Sequence, residues 1–503
     1  MWTNLRLLWP QVRETWGAKV REALPTNLFQ GSTAGERQHF ARAGNVPGTL
    51  YEDTEMGTFQ RMSSEDSPKM NGRLSSFEIN EGCFEGEAPQ EKISAWQAGW
   101  NVTNAIQGMV VVSLPLAVLH GGVWSLVAMI GVAQLTCYTG KILVDCLYEE
   151  NADGVLVRVR DSYVGIAQVV FGPRWGGILV NTAQIIELIM TCILYIITCG
   201  DFLYGSFPEA QVDRRSWMML CGLLLLPCGF LKSLGRVSTL SFWCTMAHIV
   251  INVVILGYCL TRAGSWEWGQ LKFGMDITKF PISLGNIVFS YTSQIFLPTL
   301  EGNMRDPNEF WPMLKWSHIA AAVFKSLFGL LGFLTWGEAV KDEITNNLPT
   351  QGFKAFVNFI LVIKALLSFA LPYFAAVELM RSALFRGRPR TRFPSCYDPD
   401  GVVRVWGVAL RIGVVVITIL LAAFVPHFLD LTGLIGSFTG TILSILLPCW
   451  FHLKLKGHLL PWYIKVYEWF VIALGLLFGY FGMSTSSVDL YRVITESIPS
   501  IHI

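Results

Sequence analysis

Charged side chains are scarce in this chain. Asp, Glu, Lys and Arg make up 15% of its 503 residues, whereas 52% are apolar and the mean hydropathy is +0.44. Soluble domains carry about 25% charged residues, so this composition excludes an ordinary soluble domain and predicts a polytopic membrane protein. The net charge of +1 also argues against nucleic acid as a partner.

Several signatures of catalysis and cofactor binding are missing as well. The sequence contains no Walker loop, no G-x-S-x-G elbow and no metal-ligand spacing. It shows no clear catalytic pair for an intramembrane enzyme and no repeated pore motif for a channel. Most of the eleven cysteines lie in apolar runs, where they are typical of small packing residues and not of a disulfide framework. We therefore expect no enzyme, no metal and no organic cofactor.

The composition changes along the chain and predicts three regions. The N-terminus lacks an apolar core with a cleavage site, so we expect no signal peptide. Residues 1–92 become acidic and rich in Ser and Gly, which predicts a largely disordered cytoplasmic tail. Residues 93–485 hold the apolar segments and form the transmembrane domain, and residues 486–503 form a short luminal segment.

The apolar segments predict an all-α protein with about eleven transmembrane helices. We place the spans near 96–120, 122–147, 177–204, 216–232, 239–261, 280–301, 316–337, 354–380, 404–425, 428–452 and 461–483. Ten spans is the alternative, because the fourth is short and the ninth and tenth nearly touch. Loops and span ends carry sixteen Lys and Arg on the side of the N-terminus and eight on the other. This bias predicts a cytoplasmic N-terminus and, with an odd count, a luminal C-terminus.

The first span, Trp96 to His120, is long enough to cross a hydrocarbon core of about 30 Å. Its residues are nevertheless not those of a simple lipid-facing anchor helix. Gly108 lies near its middle, and Leu114 and Pro115 lie in its second half. Its first half carries the polar residues Asn101, Thr103, Asn104 and Gln107. An opened helix exposes backbone groups, which are tolerated at membrane depth only where they line a cavity. We expect a helix interrupted near Gly108; a kinked packing helix is the alternative.

The sixth span repeats these features. A polar run occupies its centre, and Leu297 and Pro298 follow it. Two interrupted helices five spans apart are typical of an inverted five-plus-five repeat, in which the broken ends meet at the membrane midplane. Half-helix N-termini there suit a carboxylate, and freed carbonyls suit an ammonium group. The sequence therefore predicts a site for a small zwitterion such as an amino acid.

Substrate is expected to contact both interruptions. The candidates are Asn104, Gln107, Gly108 and Met109 in the first span and Ser290, Tyr291, Thr292 and Ser293 in the sixth.

Ionisable side chains inside spans are candidates for coupling transport to protons. Glu187 in span 3 belongs to a polar stripe with Gln184, Thr191 and Tyr195. A buried carboxyl group there could carry a proton; a neutral Glu that only packs the bundle is the alternative. We place Glu187 first among the coupling candidates.

Two further coupling candidates follow. His248 in span 5 lies in a second polar stripe, and Lys364 in span 8 could occupy the place of a coupling cation. For His248 the alternative is a histidine satisfied by a neighbour. Lys325 in span 7 is expected to be paired or to snorkel toward the membrane surface.

Long blocks of the chain resemble a known family. The resemblance rests on segments such as KISAWQAGWNVTNAIQGM, LPLAVLHGG, VFSYTSQIFLP and KALLSFALPYFAAVE. These segments are similar to vesicular transporters of inhibitory amino acids in the amino acid/auxin permease family, from about Lys92 to about Phe481. Ser113 departs from the pattern, because the family has Gly before the Leu-Pro pair, and the segment after Gly482 diverges.

The resemblance implies a fold of the LeuT/APC type and a function. The protein would load GABA and glycine, with β-alanine as a further candidate, from the cytosol into synaptic vesicles. It would exchange them for protons supplied by a vesicular proton pump, with chloride co-transport as the rival coupling. The alternative is a proton- or sodium-coupled neutral amino acid transporter of a lysosomal or plasma membrane.

Overall fold

The computed structural model describes residues 92–152, 154–227, 235–266, 268–384, 396, 404–424 and 428–497. Helices account for nearly all of the ordered elements. The first half contains α1 Ala95–Ile106, α2 Leu114–Gly121, α3 Val123–Asp145, α4 Tyr163–Phe171, α5 Trp175–Ser206, α6 Arg214–Leu225 and α7 Gly235–Thr261. Two short strands, β1 Tyr148–Glu150 and β2 Leu156–Arg158, pair with each other between α3 and α4.

The second half has the same character. It contains α8 Phe280–Phe289, α9 Leu297–Gly302, α10 Phe310–Trp336, α11 Gln351–Ser368, α12 Ala370–Leu384, α13 Val405–Phe424, α14 Phe428–Ile435, α15 Leu447–Lys456 and α16 Trp462–Ser497. Between α14 and α15 the chain stays helical but widens into π turns at Gly436–Gly440 and Ile442–Leu446. Such π segments are rare and occur often at functional sites.

The all-α, polytopic fold class is confirmed. Within the described residues, seven helical segments are long and apolar enough to cross a membrane, and the pair α1 and α2 makes an eighth. The remaining predicted spans correspond to α6, to α7, within which Met246–Thr261 is a shorter apolar helix, and to α8. The count of eleven spans therefore stays a prediction, as do the three-region division and the inverted repeat. The predicted tail at residues 1–92 lies, apart from Lys92, outside the described residues.

Burial separates central helices from peripheral ones. The apolar window of span 10 (α14, α15 and the π turns between them) is 72% buried and that of α5 is 67% buried, whereas those of α13 and α16 are 28% and 22% buried. A membrane helix that exposes most of its apolar surface faces lipid. Glu187 thus lies on one of the central helices.

Glycine allows α8 to pack directly on span 10. A Cβ atom at Gly436 would lie 1.9 Å from the Gly285 carbonyl oxygen, and one at Gly285 would lie 2.3 Å from the Gly433 carbonyl oxygen. Only residues without a side chain allow backbones to approach so closely. This contact fixes the position of α8, whose last turn leads into the second interruption.

The two interrupted spans are also joined at one end. Ile93, just before α1, donates its N–H to the Asn303 carbonyl at 2.8 Å and accepts from the Arg305 N–H at 2.9 Å. Asn303 and Arg305 directly follow α9. The start of the first span and the end of the sixth therefore lie side by side.

The eight cysteines whose side chains the structure describes are buried and free. They pack as small apolar residues, as their positions in apolar runs indicate.

Candidate functional site

The first span is interrupted at the expected place. Helix α1 ends at Ile106, and Gly108 has an extended backbone with φ −68° and ψ −176°. A 3₁₀ turn, Met109–Ser113, connects it to α2, and the two halves are bent by 46°. The Ser113 hydroxyl donates to the Val110 carbonyl at 2.9 Å. The residue that departs from the family pattern thus satisfies a backbone carbonyl of this turn.

One face of α1 leads to this interruption. Gln97 and Asn101 are exposed, and Asn104 and Gly108 are half-buried. Their spacing of four, three and four places them on one side of a helix. A polar face on a membrane helix gains nothing from lipid, so this face indicates a water-accessible path to Gly108.

The interruption itself has unused polar capacity and free space. Gln107 is buried, and its Oε1 atom accepts no hydrogen bond. A Cβ atom added at Gly108 would meet only the Ala105 carbonyl oxygen, at 3.9 Å. Met109, by contrast, is buried within the apolar core. The space beside Gly108 is thus open to a ligand, and Gln107 could accept from one.

The sixth span is interrupted as well. Helix α8 ends at Phe289 and α9 begins at Leu297, with residues 290–296 in turns between them. The hydroxyls of Ser290 and Thr292 donate back to the Ile287 and Phe289 carbonyls at 2.7 and 2.9 Å. These local bonds satisfy carbonyls at the end of α8, which the helix itself leaves without partners.

Two hydroxyls of this second interruption are unsatisfied. Tyr291 and Ser293 are buried, and neither the Tyr291 hydroxyl nor the Ser293 Oγ has a hydrogen-bond partner. Gln294, in contrast, is fixed, because its side-chain amide donates to the Thr136 carbonyl at 3.1 Å. Buried polar atoms are nearly always paired, so unpaired ones at a helix break indicate a place where a ligand can bind.

Glu187 lies at the second interruption. Its carboxyl group contacts the hydroxyls of Thr292 and of Thr439, which lies in the π-helical part of span 10. Glu187 is 5% exposed, and its Oε2 atom has no hydrogen-bond partner. The predicted carboxylate therefore touches a predicted substrate-site residue, and it has capacity for a proton or a further donor.

His248 and Lys364 lie together at the first interruption. The Lys364 Nζ atom is 2.6 Å from the His248 Nδ1 atom, and His248 also lies against the backbone carbonyl of Gln107. Because a lysine ammonium only donates, Nδ1 must accept and the proton of the neutral ring belongs on Nε2. Both side chains are buried. Spans 5 and 8 thus meet at the end of α1.

Lys325 is a site residue that the sequence analysis missed. It does not snorkel, because it is 0% exposed, and its partner is not an acid, because no described ion pair includes it. Its Nζ atom donates to the Ser290 carbonyl at 2.5 Å and lies 3.0 Å from the Ser290 hydroxyl. It also lies 3.7 Å from the centre of the Tyr291 ring. The partner is mainly backbone, which leaves no side-chain signal in a sequence.

The family follows from sequence comparison. A profile described as "Transmembrane amino acid transporter protein" matches residues 91–488. The chain belongs to this family of transmembrane amino acid transporters. It is therefore a multi-pass transporter and not an enzyme.

Named relatives of this transporter cover most of its length. A vesicular inhibitory amino acid transporter from Xenopus tropicalis is 53% identical over 473 residues, which cover 91% of each chain. The Homo sapiens protein of that name is 53% identical over 393 residues, covering 78% of this chain and 75% of its own. A vesicular GABA transporter from Caenorhabditis elegans is 47% identical over 412 residues, covering 82% and 83%.

One solved structure has a distant overall similarity to this transporter. It is a Na⁺-coupled sialic acid symporter in a substrate-bound, outward-open state, with a TM-score of 0.47 and 11% identity. The match covers 81% of this chain and 91% of that one. This similarity is too low to bear on the transporter's function. Within the described residues, no group of three or more His, Cys, Asp or Glu side chains could hold a metal ion.

Proposed function

We propose that this transporter loads GABA and glycine from the cytosol into synaptic vesicles in exchange for protons. β-Alanine, a shorter ω-amino acid, is a further candidate substrate. The names of its relatives support an inhibitory amino acid as cargo and a vesicle as the compartment. The observation that carries the coupling is the position of Glu187, buried in the bundle and in contact with Thr292 at the second interruption.

The substrate would bind between the two interruptions. Gln107 and Gly108 offer an unused acceptor and open space at the first, and Tyr291 and Ser293 offer unused hydroxyls at the second. Asn104, Met109, Ser290 and Thr292 complete the proposed contacts. A small zwitterion can be held by such groups through hydrogen bonds to its two ends.

Proton exchange would follow from access to Glu187. An ionised carboxylate is costly in a dry bundle, so its charge depends on what it contacts. When the site opens to an acidic lumen, Glu187 would take up a proton as the substrate leaves. When it opens to the neutral cytosol, the proton would leave and substrate would bind. His248 and Lys364 are the next candidates for this role, because they join spans 5 and 8 to the first interruption.

The N-terminus would face the cytosol and the C-terminus the lumen, as the distribution of Lys and Arg favours. A vesicular proton pump would maintain the gradient. No step requires a cofactor.

Uptake into proteoliposomes of purified protein tests the proposal. Vesicles with an acidic interior should accumulate labelled GABA and glycine in sodium-free buffer, and collapsing the pH gradient with an ionophore should remove most of the accumulation. An absolute requirement for external sodium would contradict the proposal. So would accumulation that follows a chloride gradient and is indifferent to pH.

A further inference from the structure

Lys325 occupies a position that a substrate amine would otherwise take. At an interrupted helix, the freed carbonyls suit an ammonium group. In this protein the Lys325 ammonium already donates to one of these carbonyls, that of Ser290, at 2.5 Å. It also covers the face of Tyr291. A second ammonium group close by would meet like-charge repulsion in a dry environment.

Helix α10 presents Lys325 to both interrupted spans. Gly329 lies one turn further along α10, on the same face. A Cβ atom at Gly329 would lie 3.5 Å from the Leu114 carbonyl oxygen at the start of α2. The Lys325 side chain is thus directed to the second interruption from a face that packs against the first span.

The second interruption, to which Lys325 binds through Ser290, also holds two free hydroxyl groups. The Tyr291 and Ser293 hydroxyls are buried and unpartnered, and each can donate a proton. A cation with two free hydroxyl donors favours an anion. We propose that Lys325 fixes the orientation of the substrate, with its carboxylate at the second interruption beside Lys325, Tyr291 and Ser293 and its amine directed away from Lys325.

This inference rests on the proposed zwitterionic substrate, but its test does not require transport. GABA has two halves that can be supplied separately: butyrate carries the carboxylate and butylamine carries the amine. The measurement is the shift in melting temperature of the purified protein in detergent, over a concentration series of each compound. We expect butyrate to stabilise the wild-type protein through Lys325.

Two variants separate recognition from structure. Lys325→Met keeps the length of the side chain and removes its charge. Tyr291→Phe removes a hydroxyl that has no partner in the fold, so it should leave folding intact. In each, the concentration of butyrate needed for half the maximal shift should rise by about tenfold or more, as expected for loss of a hydrogen bond to a charged group. The concentration of butylamine needed should stay the same or fall.

Tyr163→Phe is the matched control. The Tyr163 hydroxyl is buried but donates to the Leu443 carbonyl at 2.7 Å. Its loss should lower the melting temperature and leave the ratio of butyrate to butylamine response unchanged. If Lys325→Met does not fold, Tyr291→Phe carries the test.

Three results would overturn the assignment. One is an equal response of wild-type protein and both folded variants to butyrate. Another is a loss of butylamine response that accompanies the loss of butyrate response. The third is that replacing sulfate by chloride in the buffer stabilises the protein while butyrate does not. That result would show that the hydroxyl donors bind a halide. A wild-type protein that binds butyrate through Lys325 but takes up no GABA would refute the proposed cargo and not this orientation.

Discussion

The two interruptions of this transporter differ in the ionisable side chains that contact them: the second has the acid Glu187 as well as Lys325, whereas the contacts described at the first are with the bases Lys364 and His248. At the second, Glu187 from span 3 contacts Thr292 and also Thr439 of span 10. At the first, Lys364 from span 8 contacts His248 from span 5. His248 in turn lies against the Gln107 carbonyl.

This difference gives the two interruptions different proposed roles. A carboxyl group can be neutral or charged across the range between an acidic vesicle and the cytosol if burial perturbs it. At the first interruption Lys364 contacts the imidazole of His248, which in turn lies against the Gln107 carbonyl at the end of α1. We therefore expect protonation to change at the second interruption, while the charge at the first mainly holds the end of α1 in place. The following predictions test that contrast, in order of expected effect.

Filling the first interruption should have the largest effect. Gly108→Leu should reduce uptake by at least about 100-fold while the protein still folds, because the side chain would enter space that faces only the Ala105 carbonyl. Labelled GABA uptake per folded transporter is the measurement. Gly131→Leu is the matched control, since Gly131 has no atom within 4 Å of an added Cβ and is exposed on α3. Normal uptake by Gly108→Leu would show that the substrate does not bind at this interruption.

Neutralising the acid should separate two activities. Glu187→Gln mimics the protonated carboxyl, so we expect proton-driven net uptake to fall by about 10-fold or more. Exchange of internal for external GABA, which needs no net proton movement, should persist. Both are measured in the same reconstituted vesicles.

Glu338→Gln is the control for that substitution, because Glu338 is 81% exposed at its side chain. If Glu187 is only structural, both activities should fall together with the amount of folded protein. Full proton-driven uptake by Glu187→Gln would show that Glu187 does not couple transport to protons, and His248 and Lys364 would be the next candidates.

Replacing the histidine should have a smaller effect. The amide of His248→Gln can accept from Lys364 and donate to the Gln107 carbonyl, but it does not titrate. We expect uptake to stay within about threefold of wild type, the cost of one altered neutral hydrogen bond. Its dependence on luminal pH should be unchanged. A flattened pH profile would show that the first interruption, and not Glu187, carries the proton.

The smallest effect concerns a carboxyl group outside the spans. Glu343 lies between α10 and α11, is buried, and accepts from Asn346 at 3.2 Å. Burial raises the pKa of Glu343 well above its usual value, and the neighbouring Asp201 and Asp342 raise it further although Arg214 opposes them. A raised pKa stabilises the folded state while Glu343 is protonated, and this contribution is lost as pH rises through the folded-state pKa.

Thermal stability in detergent should therefore decrease from acidic toward neutral pH, by at most about 1.4 kcal/mol per pH unit for this one group. Glu343→Gln should flatten that dependence and leave proton-driven uptake intact. If Glu343→Gln instead abolishes the pH dependence of uptake, the effect of pH on transport cannot be assigned to Glu187. A stability profile that keeps its slope in the variant would contradict the role of Glu343.

Much of this arrangement could be predicted from sequence because it depends on backbone chemistry. Glycine at position 108 and the polar run from Ser290 onward mark where helices stop, and the helix ends at Ile106 and Phe289 agree. The buried position of Glu187 followed from a stripe with the period of a helix. These features are local, so a single stretch of chain specifies them.

The remainder depends on contacts between distant segments. Lys325 and Ser290 are 35 residues apart, and the acceptor is a carbonyl that every residue has. The π turn that contains Thr439 packs against α8 and α16, and no residue pattern marked it. The choice of Thr292 and Thr439 as neighbours of Glu187 likewise required the fold.

The glycine contact between α8 and span 10 restricts the mechanics of transport. Backbones that approach as closely as Gly436 and Gly285 cannot slide past one another without a clash, so these two segments form one rigid block. Residues 290–296 lie between the helices α8 and α9, so we expect them to act as the joint at which this part of the molecule moves. Glu187 contacts the block through Thr439 and the joint through Thr292. If Glu187 carries the proton as proposed, protonation would change the side chain that links the joint to the block, and we expect the angle at the joint to change with it.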